Sequence, residues 1–387
     1  MNITIVGGGF GGIKAALELA KHDYVHVTLL SNSQNFQYYP ALYSTATGHS
    51  GKESWVPLTQ VFAGYKNVKL IIDEILAIDP IHKQLVGRHD SYHYHTVILA
   101  LGSVTTYFGI EGLDVYSYGI KSEAEIVKLQ QHLADDFRDG REDETNYVII
   151  GGGPTGVELA GALGEYIRSL RKHFKIRKKR LNLTLIEASP RLLPRGSDAM
   201  SRAAKKRLES LGVRVETSKR VEKETADELI VNGRPLKTHT VIWTSGVTNA
   251  PFFKNNAAHF TLNERGKVVV DEYMAARPGV YVIGDNAATP FSGMAQTALH
   301  DAIFVARHIT GERKPYQAIE PATVVPIGRN WATFEWKKLR FAGWPGNVMR
   351  ESADLLGYHD VLPIGLALGV WRTSKQPKLL LAENDAQ

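Results

Sequence analysis

One local pattern occurs twice in this chain. Residues Ile3–Ala20 read ITIVGGGFGGIKAALELA, and residues Val148–Leu163 read VIIGGGPTGVELAGAL. Each is an apolar run, then G-x-G-x-x-G, then small and apolar residues at helical spacing. The first glycine of each loop (Gly7, Gly151) allows a tight turn. The second (Gly9, Gly153) lets a bound group approach the backbone, and the third (Gly12, Gly156) lets the helix lie against the strand. The helix that comes next opens with unpaired N–H groups suited to a phosphate. A strand–loop–helix unit of this kind is the start of a doubly wound sheet, so two units predict two such sheets.

The segments after each loop support that reading. The first helix is expected over Ile13–Ala20, with a second strand over His26–Leu30 ending at Ser31. The second unit has its first strand over Tyr147–Ile150, and its second, LTLIEASP, ends at Glu187. A carboxylate there accepts hydrogen bonds from a ribose 2′-hydroxyl and repels a 2′-phosphate. Arg191, four residues on, is a group able to accommodate such a phosphate. The interval from the glycines to Glu187 exceeds the usual ~20 residues, and the basic insertion Arg168–Arg180 accounts for the excess. Ser31 or Asn32 offers a weaker ribose contact, or a plain loop. Three more strands end in glycine: TVILALGS at Gly102, TVIWTSGV at Gly246 and VYVIGD at Gly284–Asp285. The order predicts an α/β chain of two nested Rossmann-type domains plus a short C-terminal extension. The first domain comprises residues 1–115 and 259–325, the inserted domain 116–258 and the extension 326–387.

Composition narrows the chemistry. A chain of 387 residues is too long for one ordinary core. It contains no cysteine, which removes disulfides, thiolate metal sites and thiol nucleophiles together, and no metal-ligand pattern replaces them. The net charge is +6. Much of that excess sits in RSLRKHFKIRKKR, read as a solvated helix end and loop, with anionic lipid as the alternative. No aromatic-interleaved basic motif points to nucleic acid. No signal peptide or membrane-spanning run is evident, so the expected location is cytoplasmic, with the inner face of the cell membrane open. The apolar run within His359–Lys378 is flanked by Trp371, Arg372, Lys375 and Lys378 and interrupted by Pro363 and Gly365. It suits a membrane interface, a domain surface or a second subunit. The polar LAENDAQ end reads as frayed.

Two dinucleotide loops facing each other suit a flavin dinucleotide held by one and a nicotinamide dinucleotide delivered by the other. The segments IVGGGFGGIKAA, NFQYYPALYSTATG, ILALGS, VIIGGGPTGVELAGAL, LTLIEASPRLLP, VIWTSGV, VYVIGD and AQTALHDA resemble, in order, the type II NADH dehydrogenases, single-subunit NADH:quinone oxidoreductases that do not pump protons. The resemblance runs from residue 3 to about residue 310. It implies FAD on Gly7, Gly9, Gly12, Ser31, Pro40, Thr47, Gly48, Gly102, Gly284, Asp285, Ala295 and Gln296. It implies NADH on Gly151, Gly153, Gly156, Glu158, Glu187 and Gly246. Glu158 would sit where nicotinamide meets flavin, although a carboxylate near a helix N-terminus also favours the helix dipole. Gln296 and His300, at i and i+4 on one helix face, would line the acceptor side, His300 standing where the family has a second glutamine. Tyr38, Tyr39, Pro40 and Tyr43 read as an aromatic wall of that pocket or as a packed loop. The implied partners are NADH, a quinone, and in addition a membrane surface or a second copy. Disulfide reducers and sulfide:quinone oxidoreductases both need cysteines, which are missing. Two alternatives stay open: an NADH-dependent reductase of a small iron–sulfur carrier, and an FAD- and NADH-binding redox sensor with little turnover.

Overall fold

A computed structural model describes residues 1–139, 144–175, 180–238 and 240–374. The first strand, Asn2–Val6, lies inside a six-stranded sheet and pairs in parallel with His26–Ser31 on one side and Thr96–Leu99 on the other. Val68–Ile72 extends the sheet beyond His26–Ser31. At the opposite end, Val280–Val282 pairs in parallel with Thr96–Leu99, and Ala275–Arg277 closes the edge antiparallel. Ile3, Ile5, Val27, Leu29, Val97 and Leu99 are buried, as expected of parallel strands covered on both faces.

The second sheet repeats the plan with four parallel strands in the order Val213–Glu216, Arg180–Ile186, Glu144–Ile150, Thr240–Trp243. Val280–Val282 comes after the whole second sheet in sequence yet completes the first, so the chain leaves one sheet, builds the other and returns. The α/β fold with nested dinucleotide-type sheets is therefore present. In both sheets the chain moves to one side of its first strand and later to the other. That leaves a crevice at the carboxyl ends of the central strands, where open α/β sheets bind ligands. Ser103–Thr105 and Val247–Asn249 come directly after the strands that close the two crevices, and they pair antiparallel with each other. This ribbon brings the two crevices together.

The first helix runs Phe10–Ala20 and so begins three residues before the expected Ile13. Its small residues let it pack on the Ala295–Ile309 helix; a Cβ on Gly11 would stand 3.6 Å from the Ala298 carbonyl oxygen. The described part of the basic insertion closes the Pro154–His173 helix, with Arg171, Lys172 and His173 in its last turn, where cations oppose the negative end of the dipole. Residues 176–179 of that insertion lie outside the described residues, as do Lys375, Lys378 and the LAENDAQ end.

The C-terminal extension departs from expectation. It is a three-stranded antiparallel sheet (Thr323–Pro326, Ala332–Trp336, Leu339–Gly343) followed by two helices, Trp344–His359 and Ile364–Ser374. Pro363 does not break a helix. It precedes the first residue of the second one, and its carbonyl accepts the Ala367 N–H; Gly365 lies inside. Proline is tolerated at a helix start because its missing N–H would have no partner there. The first of these helices returns to the first domain, where the Tyr358 ring stacks on Tyr38 at 4.0 Å.

Candidate active site

Gly9 is the N-cap of the Phe10–Ala20 helix and Gly153 that of the Pro154–His173 helix; neither end has a side-chain cap. A Cβ added to Gly9 or Gly153 would meet no protein atom within 4 Å. One added to Gly12 would stand 1.9 Å from the Gly7 carbonyl oxygen, and one on Gly156 1.9 Å from that of Gly151. The middle glycines thus face open space beside uncapped N–H groups, while the third glycines are required by the protein's own packing. This is the arrangement a pyrophosphate needs, and it is present in both loops. Gly9→Ala and Gly153→Ala are therefore expected to fold with unchanged Tm in the ligand-free state. The first should purify with little flavin, and the second should raise KM for NADH by about 10-fold or more, as when a close backbone contact of about 1.4 kcal/mol is lost. Flavin absorbance per chain and steady-state kinetics check this; full flavin content in Gly9→Ala would refute the assignment of the first loop.

Asn286 organises the floor of the first crevice. Its amide donates to the Gly102 carbonyl (2.6 Å) and to Asn249, and accepts the Gly102 N–H (2.9 Å). Beside it the Gly284 N–H bonds the buried Asp301 carboxylate (2.9 Å), which also accepts from Tyr316 (2.6 Å). Asp285 is left half-buried at the crevice, accepting from the Ser103 hydroxyl (2.7 Å). The Lys121 ammonium donates to the Ser103 carbonyl (2.7 Å). Burial lowers its pKa to about 8, with Asp285 and Glu125 opposing. Ala295 opens the helix that comes next, and Gln296 is exposed in its first turn.

Several expected contacts are taken up by the protein itself. The Ser31 hydroxyl donates to the Ser33 carbonyl and accepts the Ser33 N–H, closing its own turn. Thr47 donates to the Tyr43 and Ser44 carbonyls. A Cβ on Gly48 would stand 2.7 Å from the Tyr166 ring of the second domain, so these two residues form a junction between domains. Gly246 likewise lies against Thr106 and Phe108. His300 is half-buried, one ring nitrogen 2.8 Å from the Gln317 carbonyl and its ring 5.4 Å from that of Tyr316. It secures the 316–317 segment. Glu187 accepts the Gly152 N–H (2.5 Å) and the Ser189 N–H (2.6 Å), which fixes its carboxylate at the mouth of the second loop.

The Trp344–His359 helix delivers groups that the sequence did not single out. Arg350 and Asp354 form an ion pair at 3.0 Å with side chains 13% and 20% exposed. Arg350 also donates to the Pro40 carbonyl (3.0 Å). Glu158 and Tyr43 border the same guanidinium. Burial pushes the Glu158 carboxyl up to about 8, Arg350 pulling it back only in part. Burial also raises Asp354 to about 6 against the opposing Arg350, and raises the Tyr43 phenol well above its ordinary value. The site therefore joins the aromatic loop of the first domain, the glycine-loop helix of the second and a C-terminal helix around one cation. Burial thus favours the protonated form of Glu158. Neither Arg350 nor Asp354 lies in a recognisable motif; their i, i+4 spacing on one helix face was the available signal.

The pyridine nucleotide-disulphide oxidoreductase family matches residues 1–302 of this chain. A type II NADH:quinone oxidoreductase, NdhA of Mycobacterium tuberculosis, is 27% identical over 95% of this chain and 86% of its own length. One of Staphylococcus haemolyticus is 27% identical over 94% of this chain and 97% of its own. Among solved structures, NDH2 of Plasmodium falciparum in complex with NADH superposes with a TM-score of 0.84 at 17% identity, over 96% of this chain and 97% of that one. The sulfide:quinone oxidoreductase of Aquifex aeolicus superposes with a TM-score of 0.78 at 18% identity, over 91% and 89%.

Proposed function

The chain belongs to the pyridine nucleotide-disulphide oxidoreductase family, and from that membership we propose that it is a type II NADH:quinone oxidoreductase, an FAD enzyme that oxidises NADH and reduces a quinone without pumping protons. The observation that carries the acceptor assignment is the loop Asn35–Gly48. A member that reduces disulfides needs a cysteine pair near its flavin, and this chain has none. It has Tyr38, Tyr39 and Tyr43 in that loop, and Tyr43 lies against the Arg350–Glu158 cluster. The relatives named type II NADH:quinone oxidoreductase align over nearly the whole chain.

The first loop, Asp285 and the Gly102–Asn286 floor would hold FAD, and the second loop with Glu187 would hold NADH. FAD bound there would supply the two-electron chemistry. The chain's residues do the rest. The paired loops would bring the two dinucleotides to adjoining crevices, which would make transfer effectively intramolecular. Glu158 holds a proton at its carboxyl in the pH range where a quinone oxygen must take one up, and Arg350 stabilises negative charge that develops there. Gln296, exposed at the start of its helix, lines the acceptor side; His300 positions the segment behind it.

The C-terminal sheet and helix present Trp336, Leu339, Phe341, Trp344, Val348 and Leu356 to solvent, Trp344 being 70% exposed. Among the described residues no helix is long and apolar enough to cross a membrane. A surface rich in tryptophan and flanked by Arg340 suits the head-group level of a bilayer. We place this face on the inner membrane surface, where quinone is dissolved, rather than in a homodimer.

Anaerobic mixing with NADH tests the function. The flavin is expected to bleach within the mixing experiment and to recover on adding a soluble quinone. Recovery only with an iron–sulfur protein would favour the electron-carrier alternative, and a long-lived reduced complex the sensor.

A further inference from the structure

Glu53 is a buried carboxyl to which the reaction scheme gives no task. It is 1% exposed. It accepts from the Ser44 hydroxyl at 2.5 Å and the Thr45 hydroxyl at 3.4 Å. On its outer side His49 stands with Nδ1 at 3.9 Å and its own side chain 28% exposed. On its inner side lie Tyr43, the residue before Ser44, and Arg350, Asp354 and Tyr358 of the C-terminal helix. The Tyr358 hydroxyl donates to the Glu53 carbonyl at 2.9 Å. The Ile364–Ser374 helix packs over Gly51–Glu53; its only ionisable residue, Arg372, is exposed, as is Lys52. Glu53 thus stands between a solvent-accessible histidine and the cluster where the acceptor is reduced.

We propose that His49 and Glu53 are the proton inlet of the acceptor site, carrying one proton per turnover from solvent toward the Tyr43–Arg350–Asp354 wall. The proposal rests on the quinone reading, because only an acceptor that takes up protons needs an inlet. NADH yields two electrons and one proton as hydride. A quinone takes two electrons and two protons, so one proton must come from solution. At Glu53 the carboxyl O–H bond breaks as an acceptor-side O–H bond forms. The carboxylate regains its proton from the His49 imidazolium once the ring closes its 3.9 Å separation to hydrogen-bond distance, and His49 regains one from water. Burial supports this role by holding the Glu53 carboxyl up to about 8, against the Ser44 hydrogen bond, which favours its protonated form. The Glu53 proton is therefore expected to be lost as pH rises through about 8.

Glu53→Gln preserves the shape and the Ser44 contact but carries no transferable proton. Relative to flavin bleaching by NADH in the same sample, quinone-driven recovery should slow on the order of 100-fold, as for a lost acid–base group. Recovery with ferricyanide, which takes no proton, should not slow. His49→Ala should show a smaller loss that added imidazole restores. Infrared spectra of the holoprotein at pH 7 should show a protonated carboxyl band that Glu53→Gln lacks. Quinone recovery in Glu53→Gln equal to wild type would overturn the inlet. So would equal slowing with both oxidants, which marks a structural role, or absence of the Glu53 carboxyl band. Failure of wild type itself to recover with any quinone would instead sink the quinone reading, and the infrared comparison still decides whether Glu53 carries a proton.

Discussion

Arg350→Met should lower the stability of the protein by about 3–5 kcal/mol, the range for breaking a buried pair while leaving one charge behind. Arg350 is the cation that Asp354, Glu158 and Tyr43 share. Its guanidinium is enclosed together with Asp354 at 3.0 Å. Removing it strands Asp354, whose carboxyl would then rise further, and frees the Pro40 carbonyl. The loss is expected in denaturant unfolding of the holoprotein, together with slower quinone reduction. The double variant Arg350→Met with Asp354→Leu should recover much of the stability but not the rate, since an apolar pair packs where the ion pair stood. A single variant within about 1 kcal/mol of wild type would mean that the cluster is hydrated and Arg350 dispensable.

Wild type should use NADH in preference to NADPH by about 100-fold or more in kcat/KM, and Glu187→Gln should narrow the gap at least 10-fold. Hydrogen bonds to a charged group contribute about 1.5–3 kcal/mol, and the same carboxylate repels a 2′-phosphate. At the level of sequence Arg191 weakened this expectation, because an arginine is the usual partner of that phosphate. In the structure Arg191 is engaged by its own turn. Arg191 donates to the Gly196 carbonyl at 2.7 Å and the Pro194 carbonyl at 2.8 Å and lies 3.5 Å from Asp198. Its fork is committed to the turn that precedes the Asp198–Ser210 helix. Equal kcat/KM for the two cofactors would show that Glu187 serves only the backbone, holding Gly152 and Ser189.

The two loops, their strands and the return to the first sheet were legible because each is a local event. Apolar runs with glycines at fixed spacing admit few backbone paths. The functional assignments were less even. Asp285 and Glu187 were singled out because each follows the end of a strand, Asp285 after Gly284 and Glu187 after Ile186. Ser31, Thr47, Gly48 and Gly246 were assigned to ligands by position in a motif. The structure uses the two hydroxyls on neighbouring backbone and both glycines to bring segments together. Sequence spacing shows that such a residue is needed but not by which neighbour. His300 was assigned to the acceptor side by the resemblance and by its i, i+4 spacing from Gln296; in the structure one of its ring nitrogens stands 2.8 Å from the Gln317 carbonyl.

By itself the sequence determined the α/β class, the presence of two glycine-rich strand–loop–helix units, a carboxylate at the end of the second unit's second strand and the loss of every thiol route. These depend on backbone sterics, on one charge at a strand end and on the absence of an element, all of which a linear string carries. The tertiary structure decided where protons and charge gather. Arg350 and Asp354 are nearly 200 residues from Glu158 and about 300 from Tyr43 and Glu53. No local pattern foretells that they meet. The energy of a charge depends on what surrounds it in space, so the shifts of Glu53, Glu158 and Asp354 exist only once the C-terminal helix has closed over the loop of the first domain.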